Sequence, residues 1–126
     1  MIGYLIVFVG AGVGGAIRHG MNIWVARWLG SGFPFHTLII NIVGSLVMGL
    51  VASWFAERGH ETSHVRLFLT TGILGGFTTF SAFSLDAVLL WERHEPLLAA
   101  LYVGGSLVGA LAGLVLGLWI VRTALA

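Results

Sequence analysis

The chain has 126 residues, of which 58% are hydrophobic and 9% charged; it carries six arginines, no lysine and five acidic residues, and its mean hydropathy is +1.01. A soluble domain carries roughly 25% charged residues, and a chain this short has too small an interior to hide so much apolar surface. A water-soluble globule is thereby excluded and a membrane protein is expected. The net charge of +1, with no basic cluster, argues against a nucleic-acid partner, and the absence of cysteine removes disulfides, thiolate metal sites and cysteine nucleophiles.

A spanning helix needs about 20 mostly apolar residues, and four stretches qualify. The first runs apolar from residue 1 through 17 to Arg18 and on to Arg27. The second, 28–56, is uncharged and opens with Gly30-Ser31-Gly32-Phe33-Pro34, a turn composition that puts the helix start near Phe35. The third, 67–85, lies between Arg66 and Asp86, and the fourth, 96–121, between Glu95 and Arg122. Helices are predicted over about 2–28, 35–56, 65–91 and 97–122, forming one all-α transmembrane domain over residues 1–126. Short polar connections fall at about 28–36, at 57–65 with Glu57, Arg58, His60, Glu61 and His64, and at 92–96 around Pro96. The N-terminus lacks the basic region and small-residue cleavage pattern of a signal peptide, so the first helix is expected to be retained.

Orientation follows the Lys/Arg bias of short loops. With four helices, Arg58, Arg66 and Arg122 share one side, Arg27 and Arg93 the other, and Arg18 lies too deep to vote. Three against two is almost no bias. Either the chain inserts both ways and pairs antiparallel, or another signal sets its direction.

Small residues let helix backbones approach closely in lipid. Gly105, Gly109, Gly113 and Gly117 fall on every fourth position of the fourth helix, and Gly10 and Gly14 do so on the first; these are packing stripes. Gly10-x-Gly12-x-x-Gly15 also matches a dinucleotide fingerprint, but the acidic residue expected about 20 positions on is missing, the next acid being Glu57. His60 and His64, four apart in a polar loop without further ligands, read as solvated residues. No enzymatic constellation emerges.

The third segment is the informative one. Gly72-Ile73-Leu74-Gly75-Gly76-Phe77-Thr78-Thr79-Phe80-Ser81 is a poor helix by propensity, and from Val65 to Trp91 a continuous helix would run roughly 40 Å, beyond a roughly 30 Å apolar core. A break near Gly75–Thr79 is one reading, in keeping with ion sites at discontinuous membrane helices; a kinked, glycine-packed helix is the other. Polar residues gather at the same depth. Thr37 and Asn41 share a face of the second helix, Tyr102 and Ser106 a face of the fourth, and Phe80 and Phe83 a face of the third. A buried Asn is costly in lipid without a partner, although a single Asn is often interhelical glue and a single Phe is often packing. Together, neutral donors and positive aromatic edges suit a small, hard anion.

At these residues the sequence strongly resembles the Fluc family of fluoride channels, also known as CrcB proteins. The resemblance covers nearly the whole chain and rests on Gly14-Gly15-Ala16-Ile17-Arg18, Thr37-Leu38-Ile39-Ile40-Asn41-Ile42-Val43-Gly44-Ser45 and, most specifically, the glycine-rich stretch from Gly72 to Ser81 with Phe83. It implies a passive, fluoride-selective exporter channel in a bacterial inner (plasma) membrane. The expected assembly is an antiparallel, dual-topology homodimer with two pores, its third helix broken near the centre. Carried over by position, Phe80 and Phe83 resemble the aromatic pair of the pore and Asn41 the pore asparagine, while Thr37, Thr79, Ser81, Tyr102 and Ser106 resemble the polar track and its surroundings. Arg18 resembles a vestibule arginine. The family's structural Na⁺ at the dimer centre would here take the backbone carbonyls of Gly75 and Thr78. Ala82 and Ala110 depart from hydroxyl residues found in other members. The alternative, a small dual-topology multidrug or cation transporter, needs a membrane-embedded carboxylate, typically on the first helix; none stands there, and the one candidate, Asp86, lies late in the third helix.

Overall fold

The computed structural model describes residues 1–60 and 62–126; Glu61, one of the charges read in the second connection, lies outside the described residues. Six α-helical stretches occur among them: α1 (Ile2–Leu29), α2 (Phe35–Glu57), α3 (His64–Leu67), α4 (Gly75–Phe77), α5 (Phe80–Glu92) and α6 (Pro96–Ala124). A π-helical segment, Phe68–Leu74, joins α3 to α4. Four long, apolar, span-capable helices result, the third being the composite His64–Glu92.

Turn chemistry sets the limits of these helices. Gly30 takes φ 75° after α1 and Gly59 takes φ 70° after α2, the left-handed region that a side chain disfavours. Pro96, at the first turn of α6, has no amide to leave unpaired there. The composite span is interrupted not at the glycines but one step later: Gly75 is helical at φ −62°, ψ −38°, whereas Thr78 and Thr79 are extended. The π segment was not foreseen. There Thr70 turns its hydroxyl back onto the Arg66 carbonyl at 2.8 Å, a bond that competes with the regular ladder.

Glycines weld two helix pairs. A Cβ at Gly10 would lie 2.8 Å from the Gly72 Cα, and one at Gly14 would meet the Ile73 carbonyl, so α1 lies directly against the π segment. On α6, a Cβ at Gly117 would strike the Leu46 carbonyl and one at Gly113 would lie 3.2 Å from the Ile42 carbonyl, bringing α6 backbone onto α2. Gly105 faces open space, so the fourth-helix stripe packs within the chain over only three of its four glycines. Large hydrophobics remain exposed along the outside, among them Phe8, Trp28, Val108 and Trp119. A surface of this kind belongs against lipid or a second protein.

Candidate ion pathway

The helix break is closed by one side chain from α2. The Asn41 Nδ2 donates to the Thr79 carbonyl at 2.9 Å, and the Thr79 amide donates to Asn41 Oδ1 at 2.8 Å. Thr79 is extended (φ −151°, ψ 121°), so its N–H and C=O point the same way, as on a β-strand, and a single carboxamide satisfies both. The Thr79 hydroxyl then accepts from the Ala82 amide at 3.2 Å and caps α5, while Thr78 Oγ1 donates to the Leu74 carbonyl at 2.9 Å and closes α4. Breaking a membrane helix is tolerated only where such partners exist.

Beside this junction lies a cavity of about 230 Å³ lined by Asn41, Ser45, Thr78, Thr79, Phe80, Phe83, Ser106, Leu107 and Ala110. No charged residue lines it. A carboxamide, hydroxyls and two aromatic rings face a space large enough for several waters or one partly hydrated monatomic ion. Ser106 is 5% exposed, and its hydroxyl is buried without a hydrogen-bond partner. An orphan donor of that kind costs about 1–3 kcal/mol unless something occupies the space before it. α5 begins at the cavity edge, where the positive end of a helix dipole favours negative charge.

An aromatic ladder leads away from the cavity. Phe80 and Phe83 have ring centroids 5.5 Å apart, Phe83 and Tyr102 5.4 Å, and Tyr102 meets Phe33 edge-on at 5.6 Å. Tyr102 is fully buried and donates to Asp86 Oδ2 at 3.0 Å. Asp86 in turn lines a second cavity of about 200 Å³ with Ser31, Pro34, His36, Leu89, Leu90 and Arg93. Arg93 holds the mouth of this cavity, donating to the Gly32 carbonyl at 3.0 Å and lying 3.7 Å from Glu95.

Of the residues singled out in the sequence, Asn41, Thr78, Thr79, Phe80, Phe83 and Ser106 meet at the first cavity. Ser81 stands beside it, 3.4 Å from the Thr79 hydroxyl. Thr37 and Tyr102 are buried on the ladder rather than on the cavity wall, and Arg18, half-buried on α1, lines neither cavity. Phe83 is buried, but Phe80 is 75% exposed on the outside of the single chain. Gly75 is exposed and Thr78 half-buried at the break. Ser45 was missed, although its position four after Asn41 put it on the same helix face. Asn41, in the sequence either interhelical glue or one of a set of neutral donors, commits one of its N–H groups and its oxygen to Thr79.

Fold and site together define a small membrane protein with four candidate spans among the described residues and an uncharged cavity beside a broken helix. Residues 5–118 match the family described as CrcB-like protein, Camphor Resistance (CrcB). The chain is 60% identical over 119 residues to a fluoride-specific ion channel FluC of Rhodopseudomonas palustris (strain BisB5), covering 94% of this chain and 96% of that relative. It is 59% identical over 122 residues to a fluoride-specific ion channel FluC of Methylobacterium nodulans, covering 97% and 98%. A fluoride-specific ion channel FluC 2 of Nitrobacter hamburgensis is 56% identical over 119 residues, covering 94% and 96%. The chain belongs to the CrcB/FluC family.

Proposed function

We propose that the chain is a fluoride-selective channel that lets fluoride leave the cell passively across a bacterial inner membrane, residues 1–126 acting as one transmembrane domain. The observation that carries this reading is the cavity at the helix break, uncharged and lined by the unpartnered Ser106 hydroxyl together with the Phe80 and Phe83 rings. A small, hard anion takes hydrogen bonds from such donors, whereas a cation would seek carboxylates or converging carbonyls. The family supports fluoride as the anion.

The pathway runs past Asn41, Thr79, Ser106 and the Phe80 and Phe83 rings, then along Tyr102 and Thr37, with Ser81 at its flank and Arg18 drawing anions toward a vestibule. The working unit is an antiparallel pair of copies with two pores. Its supports are the balanced arginines and the 75% exposure of Phe80, a pore residue that a single chain leaves half enclosed.

A structural Na⁺ at the pair's centre fits the residues at the break. An uninterrupted helix would give the Thr79 amide to the Gly75 carbonyl; here that amide is spent on Asn41, and Gly75 is exposed. Hard carbonyl oxygens suit a hard cation, and among the described residues no cluster of acidic, histidine or cysteine side chains competes as a metal site. The carbonyls of Gly75 and Thr78 from each copy would hold it. Bound there, it would add positive potential to both pores.

The test is efflux from liposomes holding the purified protein, with fluoride and chloride compared. Fast fluoride flux with little chloride flux is expected; equal fluxes, or none, overturn the reading.

A further inference from the structure

We propose that Asn41 is a positioning residue for the central cation as well as a wall of the anion cavity, and that one peptide plane, Thr78–Thr79, couples the two. The inference rests on the reading of Thr78 as a carbonyl ligand.

A peptide unit is planar and trans, so its N–H and C=O point in opposite directions. The Thr79 amide is held toward α2 by Asn41 Oδ1 at 2.8 Å. The carbonyl of the same unit belongs to Thr78, and it is thereby turned away from Asn41 and from the α2 side of the cavity. The second bond, from Asn41 Nδ2 to the Thr79 carbonyl at 2.9 Å, pins the next peptide plane, so that Thr79 cannot rotate as a whole. Thr78 and Thr79 are the two extended residues at the junction: the Thr78 amide still donates to the Leu74 carbonyl at 3.0 Å, but the Thr79 amide has left the helical ladder and only Asn41 holds it against rotation. The Thr78 hydroxyl steadies only the near end, through Leu74. The same amide-to-Asn41 bond also leaves the Gly75 carbonyl without its helical donor. One side chain thus sets the direction of one proposed ligand and frees the other.

The orientation of the carboxamide is fixed in turn. Its oxygen and one N–H are taken by Thr79, which leaves one N–H for another acceptor on a residue that lines the cavity. Anything that releases Thr79 from Asn41 disturbs anion donor and cation ligands together.

The experiment follows thermal unfolding of the purified protein against Na⁺ concentration, N-methylglucamine replacing Na⁺, for the parent, Asn41→Ala, Asn41→Asp and the cavity control Ser106→Ala. A bound ion stabilises the folded state by RT ln(1 + c/Kd), c being the Na⁺ concentration, so the rise of unfolding temperature with Na⁺ yields a fitted Kd, the Na⁺ midpoint compared among the variants. The parent and Ser106→Ala should share one Na⁺ midpoint. Asn41→Ala should need about tenfold more Na⁺, the scale of fixing one backbone residue. Asn41→Asp, which retains an acceptor for the Thr79 amide, should lie between them, and serves alone where Asn41→Ala does not fold. Hydrogen exchange across residues 78–82 should quicken in Asn41→Ala. A parent midpoint retained in both Asn41 variants overturns the coupling while leaving the cation site standing. A parent that ignores Na⁺ overturns the cation reading and the coupling with it.

Discussion

Asn41 and Thr79 lie 38 positions apart in sequence and close a two-bond ring, 2.8 and 2.9 Å, between a side chain and the backbone of one extended residue. The ring removes the cost of breaking a membrane helix where the cavity lies. Asn41→Asp keeps the acceptor but leaves the Thr79 carbonyl without its donor, a penalty of about 1–3 kcal/mol, and an ionised carboxylate would repel an anion beside it. Fluoride efflux should fall to near background while size-exclusion chromatography still shows an assembled dimer. Parental flux would make Asn41 packing alone.

Tyr102→Phe should lower the unfolding temperature, because Asp86 Oδ2 loses its 3.0 Å donor inside the bundle. The expected loss is about 1–3 kcal/mol. Asp86→Asn in the same background should recover part of it, since a neutral amide tolerates that surrounding better than a lone carboxylate. A double-mutant cycle on thermal unfolding measures the coupling; additive effects would show that the pair contributes nothing as a pair.

Glycine substitutions should separate by position along α6. Gly117→Ala places a methyl on the Leu46 carbonyl and within 2.8 Å of the Leu50 amide, so α2 and α6 must part; destabilisation of about 1–3 kcal/mol is expected. Gly105→Ala meets nothing in the chain and should be mild by comparison. Equal losses in thermal unfolding would place Gly105 against the partner copy.

At the break, Thr78→Ser should leave sodium dependence and flux little changed, because the proposed ligand is the main-chain oxygen and the serine hydroxyl still reaches Leu74. Gly75→Leu is expected to be severe for a reason outside the single chain. Within it a Cβ at Gly75 finds its nearest atom, the Thr70 carbonyl oxygen, at 3.6 Å, an ordinary contact. A fully active Gly75→Leu would show that no partner or cation stands there. An imposed sodium gradient should not drive fluoride uphill; accumulation against its gradient would make the protein a cotransporter.

Added lysines in the 57–66 connection should bias insertion to one direction. Such a chain expressed alone should lose flux, and co-expression with an oppositely biased chain should restore it. Full activity from one biased chain would exclude antiparallel pairing.

The sequence by itself determined the class of protein and its outline. Charge depletion and four apolar runs leave few alternatives to four membrane helices, because hydrocarbon admits no unpaired backbone. The helix-to-turn boundary at Pro34-Phe35 was legible because proline, glycine and serine act locally. So was a fault in the third span, from the propensities of Gly75, Gly76, Thr78 and Thr79. Its exact step was not. Gly75 and Gly76 are weak helix formers that nevertheless stay helical, Gly76 giving α1 room at Ala11, and the chain opens at Thr78 and Thr79, where Asn41 replaces the lost bonds. Propensity reports what a residue resists locally, whereas the break settles where a distant side chain can satisfy two freed groups at once. For the same reason the sequence showed that a buried Asn41 needs a partner but not that the partner is the backbone of Thr79. The spacing of Tyr102 and Ser106 put them on one face, but only helix packing turned Tyr102 to Asp86 and left the Ser106 hydroxyl facing an open cavity.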